Sequence, residues 1–404
     1  MAFLARRSIG ILVLLSTAAF AGAWNFTFLA PVLPDVAGDT GVSVTAAGQL
    51  VTASALVTVA FLVLLGPLAD RYGRRPMLML GLAAMALAAL GSAATSSYAL
   101  LMLLRVLSGV GDALVLPSAA AAIGDYFDKK DREVALNVLL VPMGAGVVIG
   151  LPVVVLVSDA FDWHAAFLLF GLLNLACLVG IAALLPRPTY ETPSPPKRLS
   201  DHYRESYGEV LGKRTALAIL AAAVLGATVW NGMVTYAGAF FEDELGAEGG
   251  DLSALFAAVG GSYVLGGAVG AALARRAPPR PIAVLSALGA AVFLLPLVLT
   301  TDVAPVAIVL ALAFAASRSP GIAALNNMLL DLAPGAQATA ISVYGVVAAS
   351  GALAGAATGG LALAVEGYVT MASVFTLMAL SAAALLLMPV SEAPLRKRER
   401  LAVD

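Results

Sequence analysis

The stretch "GPLADRYGRRPMLML", Gly66 to Leu80, places four charged residues between two apolar runs. Gly66 permits close approach of helices and Gly73 permits a tight turn. Asp70, near a helix end, is positioned to pair with arginines or with the positive end of a neighbouring helix. The charges therefore mark a short polar loop between two apolar helices.

Working outward, the apolar pattern extends over the whole chain. Of 404 residues, 61% are hydrophobic and 12% are charged, and the mean hydropathy is +0.95. A water-soluble domain is excluded on this composition. Runs of about 20 apolar residues, enough to cross a bilayer, begin near Ile9, Gly48, Met77, Tyr98, Val134, Trp163, Thr215, Leu252, Ile282, Val303, Ala338 and Thr370. The expected fold is an all-α membrane protein with twelve transmembrane helices in two six-helix bundles.

Arg6 and Arg7 precede a run ending in "TAAFAGA", which has the look of a signal peptide. The run continues through Trp24 to Pro31, and a similar segment returns in the second half, so an uncleaved span is expected. With the amino terminus inside, every loop Lys and Arg falls on the cytoplasmic side, from Arg71, Arg74 and Arg75 to the tail "RKRER". The opposite loops hold only acids, among them Asp35, Asp39, Glu242, Asp243, Glu244, Asp302 and Glu366. This asymmetry obeys the positive-inside rule and predicts a multi-pass protein of the cytoplasmic (inner) membrane with both termini cytoplasmic. Arg105 and Arg318 alone fall inside spans.

Net charge is −2 and says little about partners because the signs are sorted by side; nucleic acid binding has no support in the sequence. One cysteine, Cys177, and two histidines, His164 and His202, supply neither a disulfide framework nor a metal site. No catalytic constellation points to an enzyme, no cofactor is implied, and the glycine-rich segments lack the G-x-x-x-x-G-K-[ST] pattern of ATP-driven machines.

Proline and alternating charge mark residues 187–214 as a cytoplasmic linker, with a short amphipathic helix over 199–211. The expected division is 1–186, a first bundle; 187–214, the linker; 215–390, a second bundle; and 391–404, a basic tail. The halves echo each other about 205 residues apart. Trp24-Asn25 falls over Trp230-Asn231 with a slip of one, "LADR" at 68–71 over "LARR" at 273–276, and Gly146 and Gly150 over Gly351 and Gly355. A duplicated six-helix unit places a substrate site near mid-membrane between the halves.

The opening loop resembles the signature of the major facilitator superfamily, G-x-L-a-D-R-x-G-R-R, at Gly66, Leu68, Ala69, Asp70, Arg71, Gly73, Arg74 and Arg75. Helix count, linker and duplication extend the resemblance over the chain. It implies that this cluster latches the cytoplasmic side, joined by an acid ending the fourth helix, here Asp125. In the second half Arg275 stands at the aspartate position. "LLRVLSGVGDALVLPSAAAAIGDYF" resembles the fourth-helix pattern R-x-x-x-G-x-G of proton-coupled exporters, at Arg105, Gly109 and Gly111. "GVVIGLP" (146–152) and "DWHAAFLLFG" (162–171) look like the fifth and sixth helices of arabinose-efflux-like and multidrug permeases. Leu151 separates Gly150 from Pro152, Val153-Val154 replace a glycine pair, and His164 replaces the usual arginine, so the antiporter signature is broken.

A charge inside a bilayer is expensive, so Arg105, Asp112 and Arg318 are expected to face a cavity or each other. By the resemblance, the first, fourth, seventh and tenth helices line that cavity. Asn25, Arg105, Asn231, Arg318 and Tyr236 are then candidates for substrate contact. Asp112, the one carboxylate well inside a span, is the candidate for proton coupling with Arg105 tuning it; the alternative is a permanent Arg105–Asp112 tie. Arg318 either meets substrate, bonds carbonyls exposed by Pro320, or partners Asp112 across the halves. The expected function is alternating-access, proton-coupled export of a small amphipathic compound, drug or sugar-like, by a monomer in the lipid bilayer. Two rivals are a transporter of small organic anions by uptake or exchange and a non-transporting membrane sensor.

Overall fold

The computed structural model describes residues 6–127, 131, 135, 138, 139, 146–186, 214–332 and 337–388, with backbone alone at 6–8, 63–72, 147, 330, 337–342 and 344. The described chain is helical. Helix α1 (Arg6–Thr27) ends in a 3-10 turn at Ala30–Val32 and resumes as α2 (Leu33–Thr40), which Gly41 closes in the left-handed conformation at φ 67°. The others of the first half are α3 (Val44–Tyr72), α4 (Arg74–Ser92), α5 (Tyr98–Tyr126), α6 (Leu151–Ala160) and α7 (Trp163–Leu184). The second half has α8 (Arg214–Leu245), α9 (Gly249–Ala274), α10 (Pro279–Leu299), α11 (Ala304–Leu332), α12 (Gln337–Glu366) and α13 (Tyr368–Leu387).

Among the described residues, eleven helical stretches are long and apolar enough to cross a membrane. The remaining span, expected from near Val134, is described in its latter part as the shorter apolar helix Val148–Ala160. Its entry is a π turn at Gly146–Gly150. Pro152 has no N–H to donate and its ring opposes the carbonyl four residues back, which favours a widened turn there. Residues 187–213 of the expected linker and the basic tail lie outside the described residues, and Arg214, expected to end the linker, opens α8.

The same pairs of helices pack in each half. In the first, α5 lies on α1, α3 and α4, while α7 lies on α1 and α4; in the second, α11 lies on α8, α9 and α10, while α13 lies on α8 and α10. The repeated glycines do matching work. A Cβ at Gly146 would come 3.3 Å from the Trp24 Cα, and one at Gly351 would come 2.8 Å from the Ala227 carbonyl carbon. In both halves the first helix is thus met backbone to backbone by the fifth. The outer faces carry apolar residues such as Leu103 (66% exposed) and Leu265 (68%), the surface a lipid solvent requires.

The halves meet at the end that bears the acidic loops, where α12 packs on α3, α9 on α6, and α8 on the 3-10 turn and α2. Glycines set the closeness of this seam. A Cβ at Gly238 would lie 3.2 Å from the Pro31 Cα and clash with the Ala30 carbonyl oxygen. Tyr236, fully buried, presses its hydroxyl on Gly48 and Gly360 and donates to the Ala356 carbonyl at 2.8 Å. Ser253 Oγ donates to the Pro152 carbonyl at 3.4 Å across the same seam.

Candidate functional site

Arg105, Ser108 and Asp112 share one face of α5 through their spacing of three and seven residues. Two glycines hold that face in place. Gly109 abuts α3, where a Cβ would come 3.0 Å from Val57 Cβ; Gly111 abuts α4, 2.8 Å from the Gly81 carbonyl oxygen. Thr58 Oγ1 fastens the first contact by donating to the Gly109 carbonyl at 3.1 Å. The glycines of the R-x-x-x-G-x-G pattern therefore serve helix approach on two sides.

On the exposed-to-none interior of this packing, Asn25 of α1 donates through Nδ2 to Asp112 Oδ2 at 2.7 Å and to Ser108 Oγ at 2.8 Å. Asn25, Ser108 and Asp112 are all buried, and Ser54 of α3 is a further polar neighbour of the Asp112 carboxyl. Arg105, equally buried, places its guanidinium 5.0 Å from the ring centroid of Phe167 on α7. Phe167 in turn packs against Phe28 at 4.8 Å. Arg105 and Asp112 attract one another through the interior, but among the described residues no ion pair joins them. Asp112 is held by amide and hydroxyl groups, Arg105 by an aromatic face.

The second half uses its polar residues differently. Arg318 on α11 is 5% exposed, and its guanidinium lies against α8 at Gly226, where a Cβ would be 2.8 Å from Nη2. It borders an alanine-lined recess among α8, α10, α11 and α13, formed in part by Ala222, Ala287 and Ala379. Pro320 leaves the Ala316 carbonyl without its usual helical donor, and Gly266 of α9 packs its backbone on that carbonyl. Gly267 and Gly270 also face α11, whereas a Cβ at Gly261 would enter open space. Beside them Trp230 stacks on Tyr263 at 4.8 Å and on Phe314 at 6.0 Å.

The structure thus unites Asn25, Arg105 and Asp112 in the first half and places Arg318 within the second. Asn231, half-buried, donates to the Ala227 carbonyl of its own helix at 2.8 Å. Tyr236 belongs to the seam between the halves. In the opening loop Gly73 takes φ 90°, ψ 148° between α3 and α4. Arg74 forms an ion pair with Asp125, and Arg75 donates to the Ala182 carbonyl at 2.7 Å. The side chains of Asp70 and Arg71, and the surroundings of Gly66, lie outside the described residues. Ser108, Ser54 and Phe167 were not among the residues the sequence singled out. Ser108 could have been found as the hydroxyl one turn from Asp112; Phe167 carried no signal apart from being aromatic.

The chain matches the Major Facilitator Superfamily over residues 15–356. It is similar to the 4-hydroxybenzoate transporter PcaK of Pseudomonas aeruginosa, 30% identical over 159 residues, which are 39% of this chain and 35% of that protein. It is also similar to the multidrug efflux pump LfrA of Mycolicibacterium smegmatis, 34% identical over 170 residues, 42% of this chain and 34% of that one. The matches therefore span about a third of each relative's length. Among solved structures, a D-xylose-proton symporter superposes with a TM-score of 0.79 at 16% identity, covering 95% of this chain and 98% of that one. That likeness is one of fold.

Proposed function

Because the chain belongs to the Major Facilitator Superfamily, we propose that it is a secondary transporter that works by alternating access and exports a small amphipathic organic compound in exchange for protons. The observation that carries this reading is the buried Asp112 carboxylate, which accepts from Asn25 and neighbours Ser54, with no salt bridge among the described residues. An interior charge without a paired countercharge is costly, so a proton taken up from one side and released to the other changes which state of the protein is preferred. The similarity to LfrA, named as a multidrug efflux pump, supports the export direction.

In this reading Arg105 sets the field at Asp112, and Asn25, Asn231, Arg318 and Tyr236 border the path that opens as the halves rock. Residues 1–186 and 215–390 move as the two bundles, joined by the linker 187–214. Gly66, Asp70, Arg71, Gly73, Arg74, Arg75 and Asp125 form the cytoplasmic latch. The basic end faces the cytoplasm, the protein works as a monomer in the inner membrane, and the tail 391–404 stays inside.

A second reading, movement of small organic anions by uptake or exchange, is favoured by the two buried arginines against one buried carboxylate among the described residues and by the similarity to PcaK. Reconstituted vesicles with an imposed proton gradient separate the two. Efflux of a cationic dye that survives Arg318→Ala and stops in Asp112→Asn supports export. Benzoate flux abolished by Arg318→Ala supports the anion reading. Solute flux absent from both assays in the folded wild type would leave the sensor.

A further inference from the structure

The seam between the halves brings like charges together. Gly238 of α8 meets Ala30 and Pro31 at backbone distance. Four residues further along each segment stand Glu242 and Asp35, one turn beyond the contact and on the same side of it. Asp35 is exposed, Glu242 is half-buried, and their like charges oppose one another across the seam. Asp243 on the same helix and Glu248 at the head of α9 add to the negative field around Glu242. Tyr368 at the head of α13 donates to Asp243 at 2.7 Å, and Glu244 accepts from Thr301 at 3.3 Å. No Lys or Arg occurs in any loop at this end of the sequence. The cation-capable residue there, His164, is engaged elsewhere, 3.9 Å from Asp39 and 3.8 Å from Asp162.

We infer that this end of the molecule is a proton-sensitive gate, in which the Gly238 contact forces Asp35 of one half against Glu242 of the other, so that protonation of these carboxylates sets how long the halves stay together. The inference rests on the alternating-access reading and is separate from Asp112. When the halves part, Asp35 and Glu242 move away from each other and their repulsion is relieved. Coulomb repulsion across a partly wet seam is strong at contact and fades within a Debye length. Acidification on this side therefore favours the closed seam; raising the pH loads it against itself. The steric part of the device is independent of charge, because a backbone contact admits no side chain.

The test is a distance measurement across the seam. Spin labels on Gly38→Cys of α2 and Gly250→Cys of α9, two positions with open space around them, are introduced with Cys177→Ala in the full chain in lipid nanodiscs. Between about pH 5 and about pH 8, where coupled carboxylates titrate, the long-distance population should rise several-fold in the wild type. In the double variant Asp35→Asn/Glu242→Gln most of that rise should be lost, and it should persist in Asp112→Asn. A rise unchanged in the double variant, or no rise in the wild type, overturns the gate. A rise lost only in Asp112→Asn overturns the gate and leaves proton coupling standing. Gly238→Ala reads the other premise: it should lengthen the distance at every pH, and a seam that it leaves closed counts against alternating access itself.

Discussion

The amide of Asn25 donates to the carboxylate of Asp112 at 2.7 Å, across the contact between α1 and α5. This bond crosses from one membrane helix to another that is remote in sequence. Among the described residues the second half shows no equivalent: Ser317 stands 205 residues after Asp112 and its hydroxyl turns back to the Phe314 carbonyl at 2.7 Å. The duplicated unit therefore keeps its helix packing in both copies and its carboxylate in one.

Replacing Asn25 by Ala removes both donations and leaves Asp112 and Ser108 without that partner. A buried hydrogen bond to a charged group contributes about 1.5–3 kcal/mol, so a drop in thermal stability in detergent is expected, along with a displaced pH profile of transport. Asn25→Ala with an unchanged pH profile would mean that the amide serves packing alone.

Gly109→Ala tests the seating of α5. Its Cβ would strike the Ser54 carbonyl and come 3.0 Å from Val57 Cβ, so α3 and α5 must separate. Overpacking of this kind costs about 1–3 kcal/mol. The melting temperature should fall further than for Gly261→Ala, whose Cβ meets open space.

Arg105 is held by a ring face, and a lysine there keeps the charge without the flat guanidinium. Phe167→Leu should weaken the site by about 0.5–2 kcal/mol, the range of a cation–π contact from exposed to desolvated. A double-mutant cycle with Arg105→Lys should show coupling; additive effects would assign Phe167 to packing only.

Arg74 and Asp125 are partly exposed, at 29% and 17%. Their coupling in a stability cycle should stay at or below about 1 kcal/mol, whereas removing either should change transport more than melting if the pair latches one state. Equal loss in both assays would make it a structural tie. Gly73→Ala belongs to the same loop and should be costly by about 1–3 kcal/mol, because φ 90° is a strained conformation for any residue with a Cβ.

Much of the architecture was legible because membrane helices announce themselves by length and apolarity, and because glycine spacing survived the duplication. Gly146 with Gly351 shows this, each meeting the first helix of its half. The opening loop was legible through Gly73, whose positive φ demands glycine, and through Arg74 with Asp125. The interior site was legible only in its charges. Spacing could put Arg105 and Asp112 on one face, but it could not say that Phe167 would receive the guanidinium or that Asn25 would take the carboxylate. Those choices depend on where α1 and α7 lie against α5. Asn25 and Asn231 occupy matching places in the sequence, yet one reaches across helices and the other bonds its own turn, a difference set by what the facing helix offers.

The sorting of charge by end has an electrical consequence. Charges held at the two surfaces cross little of the membrane voltage, whatever the halves do. Those well inside the spans are Arg105, Asp112 and Arg318, and moving one elementary charge through the whole field involves about 2.3 kcal/mol per 100 mV. Voltage can therefore act on the conformational cycle chiefly through these three side chains. On the proton-coupled reading proposed above, a proton on Asp112 changes their sum by one charge, so the membrane potential and the proton gradient should be felt at the same carboxylate.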